Sequence, residues 1–417
     1  MAASAVRHFI PSLPAGSAKP PSIVFGVTHA QSCLVLAGRL RALRSAGFQV
    51  TVVSSPGELL NRIAANEGVE CISLPISRQV APFADLLSLI RLYWLLRRLK
   101  PDLVEFSTPK AGLLGTFAAM LCGVPGRVYM LRGLKLETAI GWKRRLLLAC
   151  ERVASTCAHS VLCNSESLRA RAIDLRIAPA VKLHLVGVGS SNGVDMERFS
   201  PGSSSARKHL GIPANVPVVG FVGRLTRDKG LPELIQAFDQ LSSAEPQARL
   251  LLVGWFDAAE DAIDDELRAR IASHPRIYCT GFVADTAPYY RAMDVMVLPT
   301  WREGFPNVVL EAAATGIPVV TTQSTGSRDS VVPEVTGLLI PPGYPEAICE
   351  AVLKLLRDPA RRLRMGEAAR AWVLEHYLED RVLGLTAEYY LSMLDDAQRS
   401  CAVARVDSPI ESALSSS

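Results

Sequence analysis

Two carboxylates eight positions apart, Glu303 and Glu311, bracket a loop that turns into a helix: Glu303-Gly304-Phe305-Pro306-Asn307-Val308-Val309-Leu310-Glu311. The segment leaves an apolar strand at residues 294–298 and crosses Gly304 and Pro306, which punctuate the turn. The first turn of a helix carries backbone N–H groups without internal partners, and these attract phosphate. One carboxylate can face a ligand at the loop while the other returns along the helix face. Two hydroxyl acceptors beside an anion site suit a sugar joined to phosphate. Upstream, an apolar strand at 218–222 runs into Gly223-Arg224-Leu225-Thr226-Arg227-Asp228-Lys229-Gly230. There two cations in a glycine-flanked loop can grip an anion from both sides while amides close the base.

The positioning elements form two similar halves. Residues 23–27, 33–45 and 49–53 read as strand, helix and strand, a β-α-β opening whose first loop lacks Gly-x-Gly-x-x-Gly and so gives little support to a nicotinamide or flavin site. Thr28 and His29 stand at the carboxyl end of that first strand, where an open α/β sheet places ligands. Residues 82–100 form an apolar helix carrying Arg91, Arg97, Arg98 and Lys100, ended by Pro101. It packs on the sheet with a basic edge, or it meets an anionic membrane surface with Tyr93 and Trp94 at the boundary. A strand at 102–106 leads to Ser107-Thr108-Pro109-Lys110-Ala111-Gly112. A further strand, 127–131, leads to Arg132-Gly133-Leu134-Lys135-Leu136-Glu137, and Lys143-Arg144-Arg145 follows in a helix. Pro201, Gly202 and the serines to 205, with Pro213 to Pro217, mark a boundary, after which a new α/β unit begins.

The Glu303–Glu311 string, followed by Ala-Ala-Ala-Thr-Gly316-Ile-Pro318-Val-Val, resembles the E-x7-E region of retaining family four glycosyltransferases. Gly223-Arg224 with Lys229-Gly230 resembles the same family's Gly-Arg-x-x-x-x-Lys-Gly element. The resemblance implies a GT-B fold: α/β, with two Rossmann-like domains facing a cleft. The domains are expected at 23–212 for the acceptor and 213–384 for the nucleotide sugar. A helix at 385–400 should cross back to the first domain, with a flexible extension at 1–22 and a disordered tail from 401.

By that resemblance Arg224 and Lys229 hold the donor diphosphate and Glu303 holds hydroxyls of the donor sugar. The amides near Asn307, Val308 and Val309 take the diphosphate, Glu311 the ribose, and the loop of Phe282 and Val283 the base. Gly223, Gly304, Phe305 and Pro306 line the donor. Thr28, His29, Lys110 and Arg132 are assigned to the acceptor or phosphate side. Arg132 departs from the family, many members of which have a histidine at this point. Arginine cannot act as a base, but it can neutralise a diphosphate. The Thr-Pro-Lys-Ala-Gly and Leu-Arg-Gly-Leu-Lys-Leu-Glu-Thr phrases look like the branch that extends bacterial capsular or exopolysaccharide and lipid-linked oligosaccharide chains.

Composition narrows the partners. Residues 1–212 hold 26 Lys+Arg against 12 Asp+Glu, or +14, and the remainder 19 against 28, or −9, which recovers the overall +5. A basic first half fits nucleic acid, an anionic lipid surface or a phosphorylated acceptor. The family resemblance selects the acceptor on a lipid diphosphate and sets nucleic acid aside. The nine cysteines form no Cys-x-x-Cys pair and favour a reducing cytoplasm. The acidic run from Asp257 to Glu266 reads as a solvated face, and no cofactor and no metal are expected. The implied reaction moves a hexosyl or N-acetylhexosaminyl unit from a nucleotide diphosphate sugar, UDP-linked in the first instance, at the inner face of the membrane. A transferase for a soluble acceptor of the sucrose or glycogen synthase kind, a nucleotide-sugar epimerase and a non-enzymatic binding protein stay open as alternatives.

Overall fold

The computed structural model describes residues 19–77, 81–190, 192–257 and 261–406, with side chains to 395. The first sheet is built from β1 (Ser22–Gly26), β2 (Gln49–Ser54), β3 (Glu70–Ser73), β4 (Leu103–Ser107), β5 (Gly126–Leu131), β6 (Ser160–Cys163) and β7 (Leu183–Leu185). The second contains β8 (Val218–Val222), β9 (Arg249–Val253), β10 (Ile277–Cys279), β11 (Val295–Leu298), β12 (Val319–Thr322) and β13 (Gly337–Ile340). Their orders are β3-β2-β1-β4-β5-β6-β7 and β10-β9-β8-β11-β12-β13. Every pairing is parallel. Helices cover the faces, so the central strands are apolar on both sides: β8 and β11 are buried throughout.

In each sheet the strand order reverses at one point, between β1 and β4 and between β8 and β11. Crossover helices leave to opposite faces there, which opens a crevice beyond the carboxyl ends. This topology carries the loops after β1 and β4 to one crevice and those after β8 and β11 to the other. The two Rossmann-like domains are those of a GT-B fold.

Three local readings change. The helix expected at 33–45 is a 3-10 segment, Ala30–Leu36, followed by an α-helix, Arg39–Ser45. The break is at Gly38, with φ +77°, where a Cβ would come within 2.5 Å of the Glu379 carboxylate. The chain leaves the second domain earlier than the expected boundary at 384. The Val194 amide donates to the Tyr377 carbonyl at 2.8 Å and the Val194 carbonyl accepts the Glu379 amide at 3.1 Å, so the two interdomain segments run side by side. The final helix, Glu379–Val406, then returns to the first domain, where Ala387, Tyr390 and Leu394 join the core around β1. Residues 401–406 continue that helix where a tail was expected; 1–18 and 407–417 lie outside the described residues.

Candidate active site

The loop after β8 carries the two cations of the glycine-flanked motif. Arg224 follows Gly223, and a 3-10 turn, Arg227–Lys229, ends at Gly230 before the helix Leu231–Ala244. Asp228 is buried at the centre of this loop. Its carboxylate accepts the Thr226 hydroxyl at 2.6 Å and lies 3.4 Å from Arg224 Nη2 and 3.0 Å from Arg302 Nη2. Burial pushes the Asp228 carboxyl up, but Lys229, Arg302, the Thr226 hydroxyl and Arg224 together outweigh it and hold the group below its usual value. Arg224 Nη1 also reaches Asp257 at 3.1 Å, and Arg302 reaches Asp261 at 3.2 Å. The acidic run read as a solvated face therefore supplies counter-charges to the loop.

The loop after β11 is tied to the first by its backbone. The Asp228 carbonyl accepts both the Trp301 amide at 2.9 Å and the Thr300 hydroxyl at 3.1 Å. This brings Glu303 Oε1 to 2.5 Å from Lys229 Nζ, a pair whose side chains are only 13 % and 16 % exposed. Pro306 precedes the helix Asn307–Ala314 and offers no side-chain cap. The Val309 amide is already bonded to the Pro306 carbonyl at 3.0 Å and its side chain is in the core, which narrows the anion-facing amides to Asn307 and Val308. Asn307 Oδ1 accepts the Ser190 hydroxyl from the first-domain side at 3.1 Å. Phe305 is buried against Tyr377, centroids 5.3 Å apart.

Glu311 projects from the same helix into a largely enclosed spot. Tyr290 donates to its Oε2 at 2.8 Å and the Thr286 hydroxyl lies at 3.5 Å. Burial pushes this carboxyl up to about 7, the Tyr290 bond, Arg198 and Thr286 offsetting only part of the effect. Phe282 is half exposed and meets Trp255 edge-on at 5.5 Å, a pair of aromatic faces beside the β9 and β10 exits, while Val283 packs on the second core.

The first-domain candidates separate into two kinds. Thr28 is buried, with its hydroxyl 2.6 Å from that of Thr108 and accepting the Ala111 amide at 3.2 Å, so it ties β1 to the helix Pro109–Leu121. Lys110 pairs with Asp85 at 2.8 Å. Both are held within the first domain. His29 caps the following 3-10 segment, its Nδ1 accepting the Gln31 amide at 3.4 Å, and lines a groove.

Arg132 is different, because its backbone meets the loop after β11. A Cβ on Gly304 would lie 2.6 Å from the Arg132 carbonyl oxygen, and one on Gly133 3.1 Å from the Gly304 nitrogen, so this approach requires glycine on both sides. The Arg132 guanidinium stands 3.8 Å from Glu105 Oε1. Glu105 is already claimed by Arg39, whose Nη1 is 3.2 Å from Oε1 and whose Nη2 bonds Oε2, and by the Tyr390 hydroxyl of the returning helix. Burial pushes Arg132 down to about 10, Glu105 opposing and Arg39 adding to the fall, and it remains a cation at neutral pH. Two guanidinium groups thus share one buried carboxylate. Nε and Nη2 of Arg132 have no hydrogen-bond partner among the described residues.

Further contacts close the domains on one another beside Glu303. Arg302 Nε donates to the Thr138 hydroxyl at 3.0 Å, the Thr325 hydroxyl to Glu137 at 2.8 Å, and the Gly326 amide to the Ser167 hydroxyl at 2.8 Å. Sequence reasoning missed Asp228, Arg302, Asp257, Tyr290, Trp255 and Glu105. Asp228 and Arg302 were within reach, since each neighbours a residue of a quoted motif; the others are joined to the site only by tertiary contact.

Residues 35–189 match the family model for glycosyl transferase 4-like domains, and residues 216–358 that for glycosyl transferases group 1. The chain is 37 % identical over 346 residues to the capsular polysaccharide biosynthesis glycosyltransferase CapM of Staphylococcus aureus, covering 82 % of this chain and 90 % of that one. It is 28 % identical over 301 residues to the UDP-Gal:alpha-D-GlcNAc-diphosphoundecaprenol alpha-1,3-galactosyltransferase of Escherichia coli, 70 % of this chain and 76 % of that one. Among solved structures, Anabaena Alr3699/HepE in complex with UDP-glucose superimposes with a TM-score of 0.74 at 22 % identity, over 89 % of this chain and 99 % of that one. The matches span both domains and both loops that carry the cations and carboxylates: the chain belongs to the family four glycosyltransferases, in their capsular polysaccharide and lipid-linked glycan branch.

Proposed function

We propose that this glycosyltransferase transfers a sugar from a UDP-sugar, with retained configuration and without a metal, to an acceptor carried on a lipid diphosphate at an anionic membrane surface. The bond from the anomeric carbon to the β-phosphate oxygen breaks as the acceptor hydroxyl forms its bond on the same face, and the hydroxyl proton passes to the departing phosphate oxygen. Negative charge grows on that phosphate. Arg224 and Lys229, with the amides of Asn307 and Val308, are the fixed positive groups that stabilise it. Glu303 holds sugar hydroxyls beside Lys229, Glu311 the ribose, and Phe282 with Val283 the base. Arg132 brings a further cation from the first domain.

The observation that carries the acceptor class is the outer face of the first domain. On the helix Pro82–Leu99, Phe83 is 91 % exposed and Trp94 65 %, with Leu86, Leu87 and Ile90 exposed between them at helical spacing. This helix packs on Pro109–Leu121, which packs on Gly141–Cys157, where Ile140 and Trp142 are exposed beside Lys143, Arg144 and Arg145. Among the described residues no helix is long and apolar enough to cross a membrane. An apolar stripe edged with cations supports contact along an anionic surface. The relative that acts on a diphosphoundecaprenol acceptor supports the same class.

The test replaces Arg97, Arg98, Lys143 and Arg144 by Gln. The variant should no longer sediment with anionic vesicles while it still binds UDP-sugar; wild-type sedimentation, or loss of donor binding instead, would remove the membrane reading. Membrane-extracted lipid acceptors, assayed with a panel of nucleotide sugars by nucleotide release, test donor and acceptor together.

A further inference from the structure

Beside the acceptor crevice lies a groove of about 360 Å³, formed where the exits of β1, β2 and β3 meet the inner edge of the helix Pro82–Leu99. The strands bring His29, Ser55, Pro56, Pro75 and Ile76, and the helix brings Ala84, Leu87, Ser88 and Arg91, which recur at i, i+3, i+4 and i+7 and so share one face. Its size falls in the range of about 300–1,000 Å³ of small-molecule sites.

The walls are apolar for a reason visible in the hydrogen bonds. The Ser55 hydroxyl lies 2.8 Å from the Thr28 carbonyl and 2.9 Å from that of Ile76, and accepts the Ile76 amide at 2.8 Å. The Ser88 hydroxyl is taken by the carbonyls of Pro75 and Ala84, at 2.9 and 2.7 Å. With these groups satisfied internally, Pro56, Pro75, Ile76 and Leu87 form a lining suited to hydrocarbon rather than to sugar. Among the described lining residues, Arg91 is the one permanent charge. Leu87 belongs both to the groove and to the exposed stripe with Phe83, Ile90 and Trp94, so the groove is continuous with the outer apolar face.

We propose that this groove binds the first part of the acceptor's lipid chain, with Arg91 at the diphosphate that joins chain to sugar. The proposal rests on the lipid-linked acceptor reading and deepens it. Apolar walls with a cation at the rim point to one occupant, an apolar chain attached to an anion. The enzyme then measures its acceptor partly by the lipid, which positions the sugar end toward the donor loop.

The test compares farnesyl diphosphate with inorganic pyrophosphate, both titrated with UDP present to fill the donor-side cations. The wild type should bind the farnesyl compound at least about 10-fold more tightly, because the chain leaves water. Ala84→Trp, which fills the groove from an exposed helix position, should bring the ratio down to about 2-fold or less. Leu87→Asn should lower it in the same direction, and vesicle sedimentation of Ala84→Trp should stay as in the wild type. A ratio near one in the wild type, or an undiminished ratio in Ala84→Trp, overturns the groove assignment. If membrane-extracted lipid acceptors still release nucleotide in that case, the acceptor class stands and only the groove is lost.

Discussion

Lys229 Nζ sits 2.5 Å from Glu303 Oε1, so the cation proposed for the leaving phosphate and the carboxylate proposed for the sugar are one ion pair. Removing either partner exposes the other's charge. Lys229→Ala should lower kcat by about 10²- to 10³-fold, the effect of deleting one group aimed at developing charge. Combining it with Glu303→Gln should cost far less than the product of the single effects, because the residues act as a unit. Steady-state rates of the two single variants and the double variant decide this; independent, multiplicative losses would separate the two roles.

Donor affinity should rise with pH through about 7. Burial holds the Glu311 carboxyl up near that value, with the Tyr290 hydroxyl at 2.8 Å opposing part of the shift. Ribose hydroxyls are donors and favour the ionised form, so binding below pH 7 must expel a proton. Calorimetric titration of the donor in buffers of different ionisation enthalpy reads that proton directly. Glu311→Gln should bind more weakly and without the pH dependence; an equally steep dependence in the variant would assign it elsewhere.

Stability should decline as pH rises from about 5 to 7. Glu151 is buried, accepts the Tyr129 hydroxyl at 2.6 Å, and is pushed by burial up to about 7 from its usual 4.5. Between those values the unfolded chain has lost the proton that the folded chain keeps, so the unfolded state binds fewer protons and stability falls with pH, by at most about 1.4 kcal/mol per unit for this group. Above the folded value the slope vanishes. Urea denaturation of wild type and Glu151→Gln at pH 5 and 8 should show a smaller pH difference in the variant, and identical differences would refute the assignment to Glu151.

Turnover should persist in excess chelator if Arg224 and Lys229, as proposed, bring the positive charge that a divalent ion would otherwise supply to the diphosphate. Abolition by chelator with recovery on adding magnesium or manganese would show that the two cations are insufficient.

The sheets were legible because parallel strands buried on both faces are continuous apolar runs, and the Gly-flanked turns after β8 and β11 punctuate them. The loops that carry Arg224, Lys229 and Glu303, and the helix that carries Glu311, could be placed for the same reason: each is a short run beside a strand. What stayed hidden is non-local. No pattern near Asp257 announces Arg224, nor does anything near Glu105 announce Arg39, Arg132 and a tyrosine from the last helix. The periodicity of residues 33–45 gave a continuous helix because the group that enforces the bend at Gly38 is Glu379, at the far end of the chain. Thr28 and Lys110 stand at the expected strand ends, yet Thr108 and Asp85 hold their side chains.

The side-by-side passage of Val194 and Leu378 between the domains has a mechanical meaning. A single connecting strand is a swivel, free to turn about its own length. Two strands bonded through the Tyr377 carbonyl and the Glu379 amide make a strap that bends across its width and resists torsion. The close approach of Gly133 and Gly304 is thus backed by a second, paired connection between the domains. Substitutions that sever the strap should loosen the alignment of the two crevices while leaving each sheet intact.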